Sequence, residues 1–347
     1  MGPPLTVEGG QAQLRPDTDV TSIEPALAAV APGRRVFLQF SEPLPAVVLA
    51  AAAEALRQHP RVVFRAYGRE IDPGLSWLEG FEFVEHLQLD VWHASTFDAL
   101  AMFTSLRSLS LGETRSSRPS LAFLRQLRQL SVLWLEAHSR DFDAIADVSS
   151  LSRLGLRVPR VKNLDPLRGH PGIQAFAMFF GGIRDLSPLT ELPRLRGLQL
   201  YQVRGLDGGD LDSLGECGFL EALSLGALRN VDSLRSLALR PATTLRLLIL
   251  EKMSGLTSLA DLAGCEHLEE LRLYESRPAD KRLDVLLEIP SLRHLLIGDL
   301  YPATQVSAIR DKFRGETLRY GRETLRGNPA EIQARWRQPV HAYLGIE

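Results

Sequence analysis

The pattern L-x-x-L-x-L begins at Val84, Leu106, Leu130, Leu151, Ile173, Leu195, Leu220, Leu245, Leu268 and Leu292. Successive starts lie 21 to 25 residues apart, so ten copies stay in phase over more than half of a 347-residue chain. A repeat of this period constrains the fold strongly, because one short unit cannot bury its apolar side alone and must stack on its neighbours. Within each copy, as in "LRGLQL" at Leu195 or "LEELRL" at Leu268, apolar residues alternate. That is the period of a strand with one buried face. Between copies a second register places apolar residues three apart, as at Ile183, Leu186, Leu189, Leu192 and Leu195. This spacing suits a 3-10 turn, which eclipses side chains at i and i+3. One strand and one short return per repeat predict an α/β solenoid, with a parallel sheet on its concave side and 3-10 or helical returns on its convex side.

The copies resemble the leucine-rich repeat, in the short class of roughly 22 residues that includes bacterial internalins and the leucine-rich regulatory subunit of protein phosphatase one. The resemblance covers about Ile71 to Leu300. It implies a horseshoe, and a scaffold that binds another protein (as adaptor, inhibitor or regulatory subunit) on the concave face. The departure is the ninth position, where the family places an Asn that bonds neighbouring backbone. Here that slot holds Thr114, His138, Pro159, Gly181, Met253 and Ser276 among others, which predicts a less regular array.

Four segments follow from this reading. Residues 1–35 form an N-terminal segment expected to be partly disordered, with a capping-box spacing from Thr21 to Glu24 before a short helix. Residues 36–83 form an N-terminal β-α-β cap: "RVFLQF", an Ala-rich helix from Pro45 to His59, and "RVVFRAY". Residues 84–302 carry the ten repeats. Residues 303–347 form a C-terminal helical cap, in which Asn328 and Pro329 supply an N-cap and N1 pair and Ile332 and Trp336 share one side of the helix.

A net charge of −2 gives no global basic field, which disfavours nucleic acid as partner. From Arg310 to Arg337 eight basic residues face four acidic ones, a local excess of +4 that fits a solvated cap and leaves a polyanion binder as the alternative. Two cysteines make no disulfide framework, "MGPPLTVEGG" lacks the regions of a secretory signal, and no apolar run approaches the ~20 residues of a membrane span. The expectation is a cytoplasmic protein with no membrane contact. "MGPPLT" fits a myristoylation pattern, but Pro3 stiffens the segment an acyltransferase would thread.

Nothing in the chain reads as catalytic. Cys217 and Cys265 each stand three residues before a repeat, the phase that holds Phe81, Phe103 and Leu127, where a cysteine is a small buried hydrophobe. The eight histidines show no metal spacing. Asp207, Asp210 and Asp212 miss the order of a calcium loop. No phosphate-cradling loop or nucleophile elbow is present. The chain is therefore expected to use no metal, cofactor or small-molecule substrate and not to be an enzyme; a site in a terminal cap is the alternative.

The candidate site lies on the concave face. Counting from the first Leu, positions three, five, seven and eight point outward. Phe179 and Tyr201 hold position seven of adjacent repeats, Phe180 and Gln202 position eight, Arg157 and Glu136 position seven of earlier repeats, and Trp134 position five. Phe176 and Met178 fill the inward slots, so Phe179 faces away from the core; the strand turns near Phe180. Parallel strands ~4.8 Å apart bring one column into contact. Four aromatics together offer ~600 Å², the upper end of what a monomer exposes. Asp90, Glu113 and Glu136 nearby favour a partner with a basic rim.

Overall fold

The computed structural model describes residues 2–31, 33–116, 118–239, 244–331 and 334. They fall into two compact units, Met1–Ser152 with Pro159–Val161, and Arg153–Val158 with Lys162–Glu347.

In the first unit β1 (Val7–Glu8) and β2 (Gln11–Gln13) form a hairpin through Gly9 and Gly10, both at positive φ, where glycine bears no steric penalty. From β2 onward the strands are parallel: β3 (Phe37–Phe40), β4 (Val63–Gly68), β5 (His86–Val91), β6 (Ser108–Leu111) and β7 (Val132–Glu136). One inward column runs Ala12, Leu38, Phe64, Leu87, Leu109 and Leu133, all buried. Each large member stabilises the fold by ~1.5–3 kcal/mol relative to exposure. Beneath the first strands Phe64 stacks on Phe81 at 4.6 Å and Phe40 meets Trp77 edge-on at 4.9 Å. α1 (Ile23–Ala28) buries Ile23 and Leu27 and packs on α2 (Ala46–Gln58), which connects β3 to β4.

The N-terminal segment carries β1, β2 and α1, in which Ala12, Leu14, Ile23 and Leu27 are buried. One expectation is corrected here, the capping box: Asp19 accepts a hydrogen bond from the Thr21 amide at 3.1 Å, and a 3-10 turn over Val20–Ser22 precedes α1.

In the second unit β8 (Arg153–Arg157), β9 (Ala175–Phe179), β10 (Gly197–Tyr201), β11 (Ala222–Gly226), β12 (Leu247–Glu251), β13 (Glu270–Tyr274), β14 (His294–Ile297) and β15 (Thr317–Tyr320) are parallel neighbours in chain order. Their inward column, from Leu154 and Phe176 to Leu295 and Leu318, is fully buried. The returns between strands are mainly 3-10 turns such as Gly209–Glu216, Ala260–Gly264 and Asp284–Glu288, with single helical turns at α3 (Ser187–Thr190) and α4 (Arg235–Leu239). α5 (Ala303–Arg310) precedes β15.

The basic stretch "RGETLRYGRETLRG" differs from the expected helical cap. Its two halves form a hairpin, β15 and β16 (Glu323–Arg326), reversing at Gly321, and Leu318 extends the buried column. Asn328 does accept from the Ala330 amide at 3.0 Å, as an N-cap does. Ile332 and Trp336, assigned to the helix beyond it, lie outside the described residues.

Position eight is a backbone device. Ala137, Val158, Phe180, Gln202, Ala227, Lys252 and Glu275 all adopt φ between 46° and 63°, the left-handed region. In the second unit Val158, Phe180, Gln202, Ala227 and Lys252 each donate the amide to the next repeat's position-seven carbonyl, as Phe180 to Tyr201 at 2.8 Å and Gln202 to Gly226 at 2.8 Å. The ladder bond therefore persists while the chain turns off the strand. The ninth slot then substitutes for Asn in two ways. His138 bonds the Gly112 carbonyl at 3.0 Å and the Ser276 hydroxyl accepts from the Met253 amide at 3.1 Å, whereas Val203, Leu228 and Met253 fill the slot with apolar volume.

Candidate interaction surface

Strand pairing places Arg157 opposite Phe179, Phe179 opposite Tyr201, and Tyr201 opposite Gly226. All four are position-seven residues, on the face opposite the leucine column. The Phe179 and Tyr201 rings lie 6.2 Å apart and tilted, the Phe180 ring meets Tyr201 edge-on at 6.4 Å, and the Arg157 guanidinium sits 5.6 Å from the Phe180 centroid. These distances lie within the range of favourable aromatic and cation–π contacts. Gly226 makes the arrangement possible: a Cβ there would come within 2.2 Å of the Tyr201 ring, which lies over it.

Phe179, Phe180 and Tyr201 are half-buried, and Gln202 and Arg157 are exposed. Phe176 and Met178, by contrast, are sealed in the core. Beside the rings, at the strand ends, a cavity of about 490 Å³ is lined by Phe180, Gln202, Val203, Leu206, Arg204 and Arg229. The left-handed turn at position eight carries Phe180 and Gln202 from the sheet face to this cavity. The predicted Arg157, Phe179, Phe180 and Tyr201 are thus brought into one contacting group, with Gln202 at its edge. Trp134 and Glu136, predicted with them, lie half-buried in the first unit on β7, where Trp134 stands opposite Ser110.

Two expectations about the surroundings change. Position eight is not uniformly outward, since Val91 and Ala137 are buried. Two of the three flanking acids are also paired within the chain: Asp90 with Arg65 at 2.6 Å and Glu113 with Arg160 at 2.9 Å. Arg157 lies over the Phe180 ring, and Arg204 and Arg229 line the adjoining cavity.

The other chemical candidates resolve into structure. Cys217 and Cys265 are buried, and burial pushes both thiols up to about 11, away from the reactive thiolate. Asp207 and Asp210 accept from Arg184 at 2.7 and 2.8 Å. Among the described residues no group of three or more His, Cys, Asp or Glu is placed to hold a metal ion, and no helix is long and apolar enough to cross a membrane.

Position-by-position reading missed an inner strip on β12 to β14. Leu247, Ile249, Glu270, Arg272 and Leu296 occupy outward slots, yet all are buried. Arg272, expected as an exposed position-five residue, is 0% exposed and lies 2.7 Å from Glu270 through both Nε and Nη2. A signal was available: "LRLLIL" on β12 is apolar at both alternations, as in a strand covered on both faces.

Compared by sequence, the chain matches no protein-family model and no curated protein. By structure it is similar to an internalin, InlF, of Listeria monocytogenes, with 16% identity and a TM-score of 0.53 over 80% of this chain and 87% of that one. An internalin C2 of the same bacterium shares 21% identity at a TM-score of 0.43, over 57% and 83% of the two chains. The functional domain of its InlJ shares 13% identity at a TM-score of 0.39, over 84% and 74%. At these identities the likeness concerns fold, and InlF carries it. With the repeat in the sequence and the ladder in each unit, the chain has the leucine-rich repeat fold, built from repeats of the short class.

Proposed function

We propose that this protein is a non-catalytic interaction scaffold, an adaptor, inhibitor or regulatory subunit, that works in the cytoplasm and binds a protein partner through its inner face. The observation that carries this reading is the cluster of Phe179, Phe180 and Tyr201. Its rings pack on one another and on Arg157, stay half-buried, and border a cavity large enough for an apolar side chain. Aromatic and Arg side chains of this kind are the types whose truncation costs ~2 kcal/mol or more at interfaces. The pairing of Asp90 with Arg65 and of Glu113 with Arg160 weakens the argument for a basic rim on the partner. The Arg157, Arg204 and Arg229 side chains favour instead a partner that presents an apolar anchor beside carboxylates.

The polyanion reading draws less support. Arg319 and Arg326, two of the arginines that would serve it, donate to the Gly321 and Phe313 carbonyls. For an enzyme reading, the Cys217 and Cys265 thiols are buried and pushed up to about 11, away from use as nucleophiles. The test is capture of a partner from lysate of the source organism by the tagged chain, compared with Phe179→Ala/Tyr201→Ala. Loss of one specific band in the variant, with melting unchanged, supports the assignment; capture of the same band at full strength refutes it.

A further inference from the structure

The cavity at the ends of β9 to β11 combines apolar walls with charge of one sign. Val158, Phe180, Val203 and Leu206 line it together with Arg204 and Arg229, and no Asp or Glu takes part among the described residues. Cavities nearer β14 and β15 mix the two signs, with Asp299 and Arg322 in one and Glu316 and Arg293 in another. The repeat pattern explains the arrangement. Arg204 and Arg229 both hold position ten, three residues after the paired Tyr201 and Gly226. Their backbones therefore leave adjacent strands, ~4.8 Å apart. The preceding repeat puts Gly181 and Gly182 at positions nine and ten, where the next has Val203 and Arg204, and the missing side-chain volume leaves space beside Phe180. A Cβ at Gly182 would meet nothing nearer than the Arg204 carbonyl oxygen at 3.9 Å. The acids that follow in sequence, Asp207 and Asp210, accept from Arg184 at 2.7 and 2.8 Å. Arg204 and Arg229 are exposed and have no carboxylate partner among the described residues. Val158, 37% exposed, is apolar surface that the described chain does not cover.

We infer that this cavity takes the C-terminal residue of the protein partner, with its apolar side chain against Val158, Phe180 and Leu206 and its α-carboxylate at Arg204 and Arg229. The inference rests on the partner reading at Phe179 and Tyr201 and names the part of the partner that is recognised. Phe180 joins the two places, since its ring meets Tyr201 edge-on at 6.4 Å and also lines the cavity. A chain docked on the aromatic cluster thus continues into the cavity without a break. A chain end matches what the walls offer, because it carries an apolar side chain and a full negative charge on one Cα. An internal Asp or Glu bears its charge at the tip of its own side chain and needs a second residue to fill the apolar part. Each guanidinium can hold a carboxylate through two parallel N–H donors, which favours a planar anion over a lone point charge. Walls without a carboxylate let that anion enter without like-charge repulsion. The volume, about 490 Å³, falls within the ~300–1,000 Å³ of sites that enclose small ligands, and so has room for the last residues of a chain.

The test uses the full-length chain and dye-labelled synthetic peptides with a common Gly-Ser body, varied at the last positions and made both as free acids and as C-terminal amides. Fluorescence anisotropy reads binding. Free acids ending in Leu, Ile, Val or Phe are expected to bind better than those ending in Ser, Lys or Asp, and amidation to weaken them by about tenfold or more, as for loss of hydrogen bonds to a charged group. In Arg204→Gln/Arg229→Gln, at matched melting temperature, acid and amide are expected to bind alike. Phe179→Ala/Tyr201→Ala, which leaves the cavity walls in place, is expected to keep the preference for the acid. Equal binding of acid and amide by the wild type, a preference for internal acids, acid selectivity that survives in the arginine variant, or no binding of any peptide overturns the inference. The partner reading is tested separately, by capture that depends on Phe179 and Tyr201. Where that capture holds while acid and amide bind alike, the chain-end assignment alone fails.

Discussion

Replacing Glu270 by Gln keeps shape and removes one charge from a pair that water does not reach. Arg272 is fully buried, Glu270 is 3% exposed, and the closest nitrogen–oxygen distances are 2.7 Å. Weakening such a buried pair from one side costs up to about 3–5 kcal/mol. Removing both charges with Glu270→Leu/Arg272→Met substitutes apolar volume at two adjacent outward slots of β13, and is expected to be neutral or stabilising by about 1–4 kcal/mol. The double-mutant cycle should therefore show strong coupling, with the double variant more stable than either single one. Urea unfolding followed by far-UV dichroism reads this directly. With an m-value near the upper end of the usual ~1–3 kcal/mol per molar urea, Glu270→Gln should move the midpoint down by about 1–2 M. The reasoning is refuted if Glu270→Gln costs less than about 1 kcal/mol, the value of a solvent-exposed pair.

Three further outcomes are expected. Burial pushes His138 below its ordinary pKa, so the native state holds it neutral while the unfolded chain takes up a proton below about 6.5; stability should fall as pH drops from 7 to 5.5, and His138→Asn should flatten that slope in urea titrations, an unchanged slope counting against it. Cys217 and Cys265, with thiols near 11, should resist Ellman's reagent at pH 8 in the native protein and both react in denaturant; native labelling within minutes would show the repeat core to be open. Val158 holds φ at 48°, a conformation that costs a β-branched residue ~1–2 kcal/mol against ~0.5–1 for glycine's extra chain entropy. Val158→Gly is accordingly expected to leave stability level or raise it by up to about 1 kcal/mol, and a loss greater than that in thermal melts contradicts the strain argument.

The ladder was legible because a strand with one buried face has a period of two and its return a period near three, and Leu at both is hard to mistake. The ladder runs further than the motif because burial depends on positions four and six, not on position one. Arg35, Arg61 and Gly315 stand where Leu is expected, yet Leu38, Phe64 and Leu318 continue the buried columns. The left-handed turn at position eight was hidden by its occupants. Glycine advertises positive φ, whereas Val158, Phe180, Gln202, Lys252 and Glu275 do not. Of the candidate site, the direction of Phe179 followed from strand alternation. The pairing of Asp90 with Arg65 and of Glu113 with Arg160 did not, because each joins residues more than twenty positions apart through side chains that periodicity does not order.

Partner capture by the purified chain, quantified beside Phe179→Ala/Tyr201→Ala at matched melting temperature, bears most directly on the aromatic cluster as a binding surface. The cluster assignment predicts that a partner retained by the wild type drops to background in the variant, as expected when two contacts worth ~2 kcal/mol or more are removed. Retention of that partner at wild-type level by a folded variant contradicts it.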